Sequence, residues 1–170
     1  GGGKMEQKKL LEISDLEVVY QTDLETVRAV NGVSFRIEKG RTLGIVGETG
    51  AGKTTTSLAI MGLLPERTGK VLGGKILFNG ENLLDLDKNA MRAICGDKIS
   101  MIFQDPMTAL NPTLTVGAQI AEAMELHNHE NLSKAEINKK VEEKLEMVGI
   151  PGHRKDDYPH QFSGGMKQRV

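Results

Sequence analysis

Gly47-Glu48-Thr49-Gly50-Ala51-Gly52-Lys53-Thr54 is the stretch on which the reading of this chain turns. It fits G-x-x-x-x-G-K-[ST], the Walker A pattern of a phosphate-binding loop. Each residue type has a physical task there. Backbone N–H groups must wrap a phosphate, so glycines permit close approach and unusual dihedrals. Lys53 supplies a mobile point charge for phosphate oxygens, and Thr54 offers a hydroxyl to Mg²⁺. A helix starting at the loop turns its positive end toward the anion.

The flanks fit that task. Upstream, Thr42-Leu43-Gly44-Ile45-Val46 reads as a short buried strand entered through the turn Lys39-Gly40. Downstream, Leu58, Ile60, Met61, Leu63 and Leu64 make residues 54–64 apolar almost all round, so a helix covered on most sides is expected, stopped by Pro65. Strand over 43–46 and helix over 52–64 are the firmest local expectations.

Further out, Leu11-Ile13 and Val18-Val19-Tyr20 read as strand segments. Val33, Phe35 and Ile37 alternate with polar residues in the period of a half-buried strand. Ile76-Leu77-Phe78 is a strand closed by the turn Asn79-Gly80. Asp87 caps a short helix reaching Ile94, and residues 98–103 read as another strand. Beyond Pro106 the pattern turns helical. Val116, Ile120 and Met124 fall four apart. Ser133 and Glu136 form a capping box, and Ile137, Val141, Leu145 and Val148 make one stripe before Gly149 and Pro151. The expected organisation is a β layer and phosphate-loop core over 5–106, a helical subdomain over 107–161, and a distinct final segment, 162–170. Residues 1–4 precede Met5 and read as an expression scar ahead of the native start.

Bulk properties exclude several classes. With 38% hydrophobic and 26% charged residues, the 170-residue chain reads as a globular protein with a core. Twenty-two basic against 23 acidic side chains leave a net charge of -1, so no basic field points to nucleic acid. A single cysteine, Cys95, precludes an internal disulfide and fits a reducing compartment. No apolar run approaches the ~20 residues of a membrane span, and no signal peptide is visible. His127, His129, His153 and His160 show no metal-ligand spacing with Cys or carboxylates and read as surface residues.

Other segments narrow the choice among phosphate-loop proteins. Phe162-Ser163-Gly164-Gly165-Met166-Lys167-Gln168-Arg169 resembles the signature of ABC ATPases, and Phe103-Gln104-Asp105-Pro106 resembles their Q-loop. Tyr20 lies where that family places an aromatic residue against adenine. Gly44-Ile45-Val46-Gly47-Glu48, Met107-Thr108-Ala109-Leu110-Asn111-Pro112 and Tyr158-Pro159-His160-Gln161 look like the peptide/nickel importer subfamily, as does Met166 where most relatives carry Gln. Thr49 and Ala51 depart from the more usual serines, without touching the lysine or the metal ligand.

The resemblance implies a fold of α/β class: a P-loop NTPase of the ABC ATPase type, with an N-terminal antiparallel β layer and a helical insertion, here an incomplete domain ending before Walker B. It implies an ATP-binding, transport-coupled ATPase with ATP and Mg²⁺ as cofactors. Tyr20 would stack on adenine. Gly47, Glu48, Thr49, Gly50, Ala51, Gly52, Lys53, Thr54 and Thr55 would hold the triphosphate. Thr54 and Gln104 would meet the metal, Gln104 being the one catalytic candidate in the chain. Ser163, Gly164 and Gly165 would bind the γ-phosphate of ATP held by a second ABC ATPase subunit. The remaining implied partners are integral membrane permease subunits. They would keep the protein at the cytoplasmic face of the membrane without its own membrane contact. With the Walker B carboxylates and switch histidine absent, this chain is expected to bind nucleotide without turnover. The rival reading takes Asp105 as a metal-associated carboxylate in a non-transport ABC ATPase or another phosphate-loop enzyme.

Overall fold

The computed structural model describes residues 8–105 and 107–170. The reading of residues 1–4 as an expression scar lies outside the described residues, as does the Pro106 step of the Q-loop. The chain divides into two compact units, the first ending at Cys95 and the second beginning at Gly96.

The first unit is built on a four-stranded antiparallel sheet of order β2-β1-β3-β4, made of β1 Lys9–Gln21, β2 Thr26–Glu38, β3 Gly69–Phe78 and β4 Glu81–Asn82. The two apolar stretches read at its start are one long strand. Ile13 pairs with Phe35 on one side and Ile76 on the other. A bulge follows. The register shifts between Ile13 and Leu16, and Asp15 sits at φ 48. The extra residue resets the two-residue alternation, so Ile13, Leu16 and Val18 are all buried. Ser34 Oγ accepts from the Asp15 amide at 2.8 Å. Opposite the bulge, β3 comes so close that a Cβ on Gly74, at φ +94, would stand 2.5 Å from the Asp15 carbonyl oxygen. Asn79 and Gly80, both at positive φ, make the tight turn from β3 to β4, as the dipeptide predicts.

Helix α1, Lys53–Met61, stops three residues short of the expected end. Gly62 takes the left-handed conformation, and the Leu63 amide donates to the Leu58 carbonyl at 2.9 Å, closing the helix well before Pro65. Its cover is also narrower than its composition implies. Thr55, Thr56, Ala59 and Met61 are buried, whereas Leu58 and Ile60 are half-buried and Leu63 is exposed. Helix α2, Lys88–Ile94, starts where expected, with Asp87 Oδ1 accepting from the Ala90 amide at 2.7 Å.

Two predicted strands are absent. Residues 41–48 belong to no sheet, and Leu43, Ile45 and Val46 are exposed, Val46 by 94%. Of residues 98–103 only Ile99 holds an isolated bridge, and Ile102 is 98% exposed. The reason is physical. Strand composition marks a segment fit to be paired, but a strand exists only with a hydrogen-bonded neighbour. None of the described residues supplies one for either segment.

The second unit is helical: α3 Val116–Leu126, α4 Lys134–Met147, two single 3₁₀ turns and α5 Gly164–Arg169. The stripe of Ile137, Val141 and Leu145 is buried with Val116, Ile150 and Phe162, and Ile120, Met124 and Val148 pack at its margin. Arg169 donates to the Val148 carbonyl at 2.7 Å, placing a cation on the open carbonyls at the end of α4.

The α4 capping box is present as read. Glu136 Oε2 accepts from the Ser133 amide at 2.8 Å and from its hydroxyl at 2.7 Å, while Ser133 Oγ receives the Glu136 amide. The Ser133 hydroxyl first, and its amide second, hold the Glu136 carboxyl below its ordinary value of 4.5. A depressed folded value means the stabilisation is full above pH 4.5 and is lost as pH falls through that lower value. Ser133→Ala is expected to lower the melting temperature by about 2–4 °C near neutral pH. Scanning calorimetry should show that gap narrowing as the pH drops below the carboxylate range, with a remainder left by the Glu136 amide that Ser133 Oγ still accepts. An unchanged transition at neutral pH would contradict this account of the box.

Candidate functional site

The loop over residues 47–54 leads directly into α1 and is shaped by its glycines. Gly50 and Gly52 stand at φ +85 and +84, a region that side chains rarely tolerate. Gly52 has a second reason to lack a side chain, since a Cβ there would lie 2.3 Å from the Ala29 carbonyl oxygen of β2. The loop is therefore seated on the sheet at Gly52. Its turn is closed by the Ala51 amide donating to the Glu48 carbonyl at 3.0 Å.

Lys53 folds back across this loop. Its ammonium donates to the Gly47 carbonyl and, at 2.9 Å, to the Glu48 carbonyl. The cation is thus held inside the loop's own arc, at the start of a helix whose first amide groups lack intrahelical partners. Thr54 is exposed, leaving its side chain open to solvent. Thr56 turns inward instead, donating from Oγ1 to the Gly52 carbonyl at 2.8 Å. An ammonium, free amides, glycine-shaped backbone and an exposed hydroxyl form a donor set suited to a polyphosphate with a hard cation.

Tyr20 is brought to the same place. It lies near the end of β1, and its hydroxyl sits 3.0 Å from Thr55 Oγ1. Thr55 is buried. The sheet therefore puts an aromatic ring beside the first turn of α1, a relation the sequence separation of 35 residues does not reveal.

The other candidates belong to the second unit. Gln104 is exposed, in a bend. Asp105, the rival candidate, uses Oδ1 to accept the Met107 amide at 2.9 Å, a local turn contact. Ser163 caps α5, its Oγ accepting from the Met166 amide at 3.2 Å. A Cβ on Gly164 or Gly165 would meet nothing within 4 Å, so packing within the chain does not demand these glycines. They leave bare backbone facing open space.

His129, His153 and His160 are exposed, as read, and His127 is half-buried, but two of the four have a neighbour that their spacing does not show. Asp97, His127 and His129 each place a ligand atom within 4.8 Å of the others. Spacing rules missed the group because its carboxylate comes from a turn thirty residues upstream of the first histidine. Nothing in the local sequence marks that approach.

Comparison with known proteins fits this geometry. The ABC transporter family model matches residues 30–170. The chain is 54% identical to the dipeptide transport ATP-binding protein DppD of Bacillus subtilis over 165 residues, which cover 96% of this chain and 49% of that protein. It is 47% identical to the oligopeptide transport ATP-binding protein OppD of Salmonella typhimurium, over 95% of this chain and 48% of the other. The chain thus spans about half the length of the curated relatives it matches. Among solved structures, the dimeric MJ0796, a bacterial ABC transporter cassette, superposes with a TM-score of 0.80 at 26% identity, covering 94% of this chain and 66% of its own. The same cassette in a post-hydrolysis state bound to ADP and Pi gives 0.81.

Proposed function

This chain belongs to the ABC transporter family, and on that premise we propose that it is the nucleotide-binding part of an ATPase subunit that powers a peptide importer. The observation that carries the reading is the phosphate loop itself: Lys53 held across glycine-shaped backbone at the head of α1. The identity with dipeptide and oligopeptide transport ATP-binding proteins supports peptides as the class of solute.

In this reading residues 47–55 bind the triphosphate of ATP. The loop amides and the start of α1 take phosphate oxygens, and Lys53 exchanges its carbonyl partners for the β and γ phosphates. The Thr54 hydroxyl is a ligand for Mg²⁺, a hard cation suited to oxygen donors, which would neutralise phosphate charge there. Gln104, exposed in its own unit, would be the residue that answers to the metal and the attacking water, as its resemblance to the Q-loop implies. Tyr20, fixed at its hydroxyl, offers its ring face to adenine. Ser163, Gly164 and Gly165 serve the nucleotide of a second ATPase subunit, and the open space around both glycines supports that use.

No helix among the described residues is long and apolar enough to cross a membrane. Because its relatives are transport ATP-binding proteins, we propose that separate permease subunits carry the solute across the membrane, with this protein docked on them at the cytoplasmic face. The test uses the full-length protein in cells that depend on it for uptake of a labelled dipeptide. Lys53→Ala is expected to cut ATP-driven uptake at least tenfold (about 1.4 kcal/mol). Unchanged uptake would refute the proposal.

A further inference from the structure

We propose that Asp97, His127 and His129 form a binding site for a divalent transition-metal ion of the zinc type, separate from the phosphate loop. Among the described residues this is the one group of three His, Cys, Asp or Glu side chains whose ligand atoms converge. The local fold explains why they do. His127 closes α3 as its C-cap residue, and the His129 amide donates to the His127 carbonyl at 2.8 Å. This tight turn puts the two rings 6.4 Å apart between centroids. Gly96, at φ +88, leaves the space His127 uses, since a Cβ there would stand 2.7 Å from His127 Nε2. Asp97, next along the chain, is thereby brought to both rings.

The distances fit a tetrahedral ion. His129 Nε2 and Asp97 Oδ2 are already 3.4 Å apart. Bonds of about 2.0–2.1 Å to a tetrahedral centre put neighbouring ligand atoms about 3.3 Å from each other. His127 has to close the remaining gap, which a side-chain rotation at a half-exposed residue can do. Two imidazoles and one carboxylate suit zinc and its neighbours rather than magnesium or calcium, which favour all-oxygen sites. The setting helps a cation too, because the open carbonyls at the end of α3 form the negative pole of that helix. With Asp97 and His129 both reached by solvent, water can complete the coordination. Without an ion the cluster reduces to an exposed Asp97–His129 contact, a weak interaction at most.

The probe is Zn²⁺ itself, titrated calorimetrically into the metal-stripped chain in the presence of excess Mg²⁺. One saturable site is expected. His127→Gln, His129→Gln and Asp97→Asn should each weaken it by at least the 10–100-fold that even outer-shell partners of metals contribute. His153→Gln and His160→Gln should leave it unchanged. The unaltered chain gives an independent readout by NMR, where the ring protons of His127 and His129 should shift with Zn²⁺ while those of His153 and His160 do not. Absence of a saturable site, competition by Mg²⁺, equal loss from the control variants, or ring shifts spread over all four histidines would each overturn the proposal.

Discussion

A polypeptide of these 170 residues is expected to bind ATP but to turn it over no faster than background. Phosphoryl transfer to water needs a positioned nucleotide, neutralised charge and an oriented attacking water. On the proposed reading the loop over residues 47–54 would supply the first and, with Thr54 and Mg²⁺, part of the second. For the third, the ABC ATPase pattern calls for carboxylates at the end of a strand following the signature and for a later histidine. In these 170 residues His127, His129, His153 and His160 all precede Ser163. Asp105, the carboxylate beside Gln104, is engaged in its own turn with the Met107 amide. Lack of general-base assistance alone costs about 10²–10⁴ in rate. A phosphate-release assay checks this, with Lys53→Ala as the control for contaminating ATPase. Sustained, Lys53-dependent release at the rate of an intact transporter ATPase would sink the expectation and make Asp105 the first residue to replace.

Loss of Lys53 should be felt in binding itself. Its ammonium lies within the loop arc on the Gly47 and Glu48 carbonyls, poised where phosphate oxygens would compete for it. Charge-assisted hydrogen bonds contribute about 1.5–3 kcal/mol each, so Lys53→Ala is expected to weaken MgATP binding by roughly one to two decades. The fold should survive, because the Lys53 side chain anchors nothing beyond the loop's own carbonyls. Circular dichroism of the variant separates lost binding from lost structure.

The parts of this protein legible from sequence are those whose physics is local. Asp87 and Ser133 each cap a helix with a side chain that reaches an amide three residues on, and both caps are present. Asn79-Gly80 makes its turn because the two residues alone tolerate the dihedrals it needs. The glycine turn before α1 was readable for the same reason: Gly50 and Gly52 take positive φ and Lys53 folds onto the Gly47 and Glu48 carbonyls, all within eight residues of chain.

What escaped the reading depends on partners distant in sequence. Residues 43–46 and 98–103 have the composition of strands, yet pairing is a property of two segments, and neither finds its neighbour among the described residues. The bulge at Asp15 requires Gly74 on β3, 59 residues further along the chain, and no periodicity announces it. Helix α1 ends at the left-handed Gly62, because a glycine cap stops a helix before a later proline such as Pro65 can. The Asp97–His127–His129 group was missed for the same reason as the unpaired strands, because convergence in space leaves no mark on spacing.

If the loop before α1 is a working nucleotide site, its affinity depends on Lys53. Calorimetric titration of MgATP into the 170-residue chain and into Lys53→Ala tests it most directly. The account predicts one saturable site in the unaltered chain and an affinity lower by roughly 10–100-fold in the variant. Equal affinity in the two proteins, or no binding to the unaltered and folded chain, would contradict it.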